Sequence, residues 1–87
     1  MNKDTIDRLH KLESERYGLQ ERIESLKKVF AEKPRDLIVE IKAMGWHSGH
    51  DVMRFNEMPQ EIMDALKKVS ERMAKELDEV IRQIEEL

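Results

Sequence analysis

Pro34-Arg35-Asp36-Leu37-Ile38-Val39-Glu40-Ile41-Lys42-Ala43-Met44-Gly45 lies midway along the chain and joins its two long charged, apolar-striped ends. Leu37, Ile41 and Met44 recur at i, i+4 and i+7, while Asp36 and Glu40 stay off that stripe. The spacing predicts a short helix over about residues 35–44, closed by Gly45. Pro34 suits the first position of a helix, and its ring pushes Lys33 out of helical geometry, so a bend is expected before it.

Upstream of the bend, Leu9, Leu12, Arg16, Leu19, Ile23, Leu26 and Phe30 alternate steps of three and four, the seam of a heptad helix. Asp4 is the expected N-cap, Asp7 complements the positive helix end, and Glu24 to Lys28 is an i,i+4 ion pair in the favourable order. The first helix is expected over about residues 4–31, roughly 42 Å long. Downstream, Met58-Pro59-Gln60-Glu61 reads as a helix start. Ile62, Leu66, Val69, Met73, Leu77, Val80, Ile84 and Leu87 then form a second seam, giving a helix over about residues 59–87. Two successive steps of four around Met73 are a stutter that locally unwinds a supercoil. Val52-Met53-Arg54-Phe55 fits one helical turn or an extended piece equally well.

The expected fold is therefore all-α. One helical domain spans residues 1–87 as an antiparallel hairpin of two long helices with a short middle helix and an island at about residues 45–58. Two narrow seams facing each other leave Ile6, Met63, Ile81 and the Leu37 stripe uncovered. A homodimer closing a four-helix bundle, or a higher even oligomer, is the expected assembly.

Composition narrows the function. The 87 residues are 39% apolar, 40% charged and 5% aromatic, and a chain this short removes only about 60% of its unfolded surface from water when it folds alone. Without cysteine there is no disulfide, thiolate metal site or thiol nucleophile, and a reducing cytoplasm is expected. Met1-Asn2-Lys3-Asp4 opens no apolar signal region, and no window approaches the ~18 apolar residues of a membrane span. Residues 1–32 and 33–58 are each charge-balanced, so the net charge of -3 resides in the last helix. That bias is opposite to the one a polyanion groove needs, and no generic DNA or RNA binding is expected.

Ala43-Met44-Gly45-Trp46-His47-Ser48-Gly49-His50-Asp51 concentrates the only Trp, two of three His and two of three Gly. Trp46 can stack on a flat ring, and Arg35, Lys42 and Arg54 can pair with phosphate oxygens, with His47 and His50 adding hydrogen bonds. The alternative makes Trp46 and Phe55 the apolar plug of the hairpin's closed end, with the basic side chains paired to Asp36, Glu40 and Asp51. His47 and His50, at i,i+3, reach metal only with a third ligand from Asp51 or the distant His10, so no metal site is assigned. Arg16 in the seam either fixes register or, with Tyr17, points into a pocket between subunits. Met44, Met53, Met58 and Met63 around the island suit an adaptable surface or gap-filling packing. No phosphate loop, no paired carboxylates in an apolar setting and no Ser or Thr nucleophile context points to an enzyme or a cofactor.

Two resemblances bear on this reading. Arg16 and Lys27 have the separation seen in the first helix of all-helical chorismate mutases, and Pro34-Arg35-Asp36 resembles that family's turn. Arg35, however, comes too early, and no terminal Gln lies at the family spacing. The stretch from Glu15 to Phe30 and the later Met73-Ala74-Lys75-Glu76-Leu77 resemble small helical phage proteins, including a coiled-coil family of crAss-like phages. This resemblance covers the helices and implies a phage-type homo-oligomer in the host cytoplasm. It also implies a host-defence inhibitor that sequesters a signalling nucleotide, cyclic or of the ADP-ribose type, between subunits. The alternative is a protein-protein interaction module, or a structural coiled coil, that lays a helix face or the Met-rich island on a host or virion protein.

Overall fold

The computed structural model describes residues 2–87, in the order α1 (Lys3–Glu32), β1 (Arg35–Ile41), β2 (His50–Glu57) and α2 (Gln60–Glu85). Both helices follow their apolar seams. On α1, Leu12, Leu19 and Ile23 are buried, while Leu9, Arg16, Leu26 and Phe30 are half-buried. On α2, Val80 is buried and Ile62, Leu66, Val69, Met73, Leu77 and Ile84 are half-buried. The helices pack antiparallel. Leu12, Leu19 and Val80 form the core with Met73, Leu77 and Ile84 around it, and Leu26 meets the level of Val69 and Met73 nearer the sheet. Each fully buried aliphatic side chain contributes about 1.5–3 kcal/mol, and with four buried residues among those described the core is thin.

Local details at the helix ends depart from expectation. Asn2, not Asp4, caps α1: its Oδ1 accepts from the Thr5 amide at 2.8 Å, and Asp4 falls in the first turn. Lys27, not Lys28, pairs with Glu24, at 3.4 Å and with both side chains largely in water, so the pair contributes little. The bend at Lys33 is present: its amide donates to the Val29 carbonyl at 3.2 Å while its φ is 45°, in the left-handed region. That conformation costs a side-chain-bearing residue about 1–2 kcal/mol, and glycine gives back about 0.5–1 kcal/mol through its freer unfolded chain. Lys33→Gly is accordingly expected to stabilise the chain by about 0.5 kcal/mol, a rise of a few degrees in the midpoint of thermal unfolding followed by circular dichroism.

The all-α expectation fails in the middle of the chain. Residues 35–44 form no helix: Arg35–Ile41 is a strand, and within the expected island His50–Glu57 is its antiparallel partner. The fold is α+β, and an all-helical four-helix bundle is not its architecture. The physical reason lies in Ile38, Val39 and Ile41, whose β-branched side chains favour extended backbone and pack across a pleated pair. Leu37 and Ile41, four apart, share a face in a helix and in a strand alike. Facing pairs are Leu37 with Phe55, Ile38 with Arg54, Val39 with Met53, Glu40 with Asp51 and Ile41 with His50. A bulge between Val39 and Glu40 leaves Val52 without a partner.

Among the described residues neither strand packs on either helix. The sheet extends from the connected end of the helical pair, and the molecule measures 53 × 30 × 17 Å with a radius of gyration of 16.9 Å. A compact chain of this length has a radius near 12 Å.

Candidate functional site

The turn between the strands is built on Gly45. The Trp46 amide donates to the Ala43 carbonyl at 3.1 Å, and Gly45, third residue of that turn, has φ 88°. Such a turn demands positive φ at that position. Gly45 thus reverses the chain instead of ending a helix, and Met44, at the corner, stands wholly in solvent. At Gly49 a Cβ would fall on the side chain of exposed Glu40, which would have to swing aside. This glycine lets Glu40 lie across the backbone where Glu40 and Asp51, two like charges, face each other.

Trp46 and His50 meet edge to face across the turn, with ring centroids 5.2 Å apart. Of the residues singled out in the sequence, these two are brought together. His47 and Lys42 lie in the same turn region, outside the strands. Arg35 stands at the far end of β1 opposite Glu57, and Arg54 sits mid-strand opposite Ile38. At about 3.3 Å per residue, β1 separates Arg35 from the turn by roughly 20 Å. Arg16 and Tyr17 are on α1, roughly 24 Å along the axis from its C-terminal end. Within one chain these side chains do not converge on one ligand. Among the described residues no three His, Cys, Asp or Glu side chains gather to hold a metal.

Tyr17 is 63% exposed, and its hydroxyl donates to Glu21 Oε1 at 2.9 Å. That bond, and then the carboxylate charge, raise the phenol above its ordinary value of 10.0. A raised folded value means the contribution is present below the ordinary value and lost as pH rises through the folded one. Glu21→Gln is expected to lower the midpoint of an ultraviolet phenolate titration; an unchanged midpoint would show that the bond does not persist in solution. On α2, the Arg82 guanidinium pairs with Glu79 and Glu86, and together with the Gln83 amide it holds the Glu79 carboxyl below its usual range.

Two recesses lie away from the Trp46–His50 turn. One, about 720 Å³, lies between the helices around Gly18, Leu19, Arg22, Lys75, Glu79 and Val80. A smaller one, about 300 Å³, sits at the junction of sheet and helices, lined by Lys33, Pro34, Arg35, Glu57, Met58 and Met63. What sequence reading passed over is the apolar sheet surface. Ile41 and Met53 are exposed on the face that also carries half-buried Leu37, Val39 and Phe55, and Ile38 is exposed on the reverse with Val52 exposed at the bulge. Its signal was the alternation of Leu37, Val39 and Ile41.

No family model matches the chain, and no curated protein and no solved structure shows significant similarity to it. Among the described residues no helix is long and apolar enough to cross a membrane.

Proposed function

We propose that the chain is a non-enzymatic protein-interaction module in which the helical pair is a stalk and the β-hairpin is the docking element. One observation carries this reading. Of nine large apolar side chains left exposed among the described residues, six belong to the hairpin: Ile38, Ile41, Met44, Trp46, Val52 and Met53. Among the described residues neither helix packs on the strands that carry them. An isolated two-stranded hairpin is at best marginally stable in water, and exposed apolar surface of this kind marks an interaction site. Such a surface gains most by receiving another protein's strand or apolar face.

Sequestering a nucleotide with Trp46, Arg35 and Arg54 together requires more than one chain, because a single chain spreads these groups along the hairpin. Photo-crosslinking separates the two ideas. A photoreactive residue at Met53 or Ile38 is expected to give discrete protein adducts in the producing cell, whereas one at Lys11 or Lys68 on the stalk gives none. Adducts from the stalk alone would overturn the module. So would a cyclic or ADP-ribose-type nucleotide that raises thermal stability and changes Trp46 fluorescence.

A further inference from the structure

We infer that the occupant of the β1 edge is β1 of a second copy, paired antiparallel about a two-fold axis at Val39, so that the strand order across the dimer is β2-β1-β1-β2. The inference rests on reading the hairpin as the docking element and specifies its partner. Among the described residues both outer edges of the sheet are open, since it has two strands and no helix against it. Natural sheets protect such edges with lysine, proline, bulges or short strands. β2 is interrupted at Val52 by the bulge, and Arg54 in mid-strand would face its own copy in the symmetric pairing centred there. Between Leu37 and Ile41, β1 has neither proline nor lysine and one charge, Glu40.

Symmetry and charge select the register. A two-fold axis normal to the sheet keeps each side chain on its own face, so the axis must pass through a residue position. With Ile38 on the axis, Asp36 faces Glu40 of the other copy, and with Glu40 on the axis that carboxylate faces itself. With Leu37 on the axis, Pro34 enters the ladder without an N–H to donate. Val39 on the axis avoids all three. Val39 then faces Val39, Leu37 faces Ile41 and Ile38 faces Glu40, a ladder confined to Leu37–Ile41, since Asp36 has φ 54° and Lys42 lies beyond the strand. The face bearing Leu37, Val39, Ile41, Met53 and Phe55 becomes continuous across both copies.

The chain has no cysteine, so one introduced thiol reports one distance. Residues facing each other across an antiparallel pair have Cα atoms about 4.5–5.5 Å apart, inside the range a disulfide tolerates, and diagonal neighbours stand at about 7–8 Å. Under mild oxidation Val39→Cys is expected to form a covalent dimer about tenfold or more faster than Ile38→Cys, and Met53→Cys, on the outer strand, none. An equimolar mixture of Leu37→Cys and Ile41→Cys is expected to cross-link as the mixed dimer. Sedimentation of the unmodified chain should give a dimer that Val39→Lys converts to a monomer with its helical circular dichroism intact.

A monomer at the highest soluble concentration overturns the inference. A dimer in which Val39→Cys cross-links no faster than Met53→Cys does so as well. If in those cases photo-crosslinks from Met53 still reach a different protein, the module stands and only its partner is reassigned. If the hairpin yields no adduct of either kind, both readings fall.

Discussion

Replacing Leu19 with alanine lowers the helical melting midpoint by about 10–40 °C. Leu19 is 7% exposed and belongs to the core cluster with Leu12 and Val80. Truncating a buried leucine removes transfer free energy and leaves a cavity, at a cost of about 2–5 kcal/mol. For a domain of this size each kcal/mol moves the midpoint by about 4–8 °C. A chain of 87 residues has roughly 4–13 kcal/mol of stability in total, so one methyl-rich side chain represents a large part of it. Ile6→Ala is the matched control, since Ile6 is 40% exposed near the end of the stalk. Thermal circular dichroism at the helical band decides the matter. Equal losses from Leu19→Ala and Ile6→Ala would mean that the helices are not joined through this core.

The second large effect is confined to the sheet. Ile38→Pro/Val39→Pro is expected to abolish the strand signal and shift Trp46 fluorescence toward that of a solvated indole, while the helical melt moves by less than about 1 kcal/mol. Successive amides of a strand point to opposite edges, so the double substitution removes one donor from each side of β1. It also locks φ near -65°, far from the roughly -140° of an antiparallel strand. A lost ladder bond costs about 1 kcal/mol, which a marginal hairpin does not survive. The helices keep their structure because no strand leans on them among the described residues. Amide exchange on the double variant gives the answer residue by residue. Loss of protection at Leu12, Leu19 and Val80 along with the strands would show that the two parts unfold as one.

The stalk was legible in the sequence because its two seams repeat over many turns. Leu12, Leu19 and Ile23 on one helix and Val80 on the other are the residues that end up buried. The sheet was not legible, for a reason visible in Leu37, Ile41 and Met44. Over four residues a helical turn and a strand return a side chain to the same face, so Leu37 and Ile41 satisfy both periods, and Met44 lies in the turn beyond the strand. Val39 between them breaks the tie, since it belongs to a two-residue alternation and to no helical stripe through Leu37 and Ile41. Gly45 misled for a related reason: positive φ serves a helix terminus and a reverse turn equally. Of the expected ligand set, Trp46 and His50 were legible as neighbours by their closeness in sequence, and they meet in the turn. The distances of Arg35 and Arg54 from that turn follow from the strand assignment, which composition alone does not reveal, whereas those of Arg16 and Tyr17 follow from the first helix, which the seam did reveal.

Each connection between stalk and sheet is two residues long, Lys33-Pro34 on one side and Met58-Pro59 on the other. Both connections contain a pyrrolidine ring that removes one torsional freedom, and Pro59 sits at φ -62°. The chain thus holds its docking element on a pair of stiffened hinges rather than on slack cord. A partner grasping the tip can transmit torque to the helices through the main chain, even though neither strand packs on a helix among the described residues.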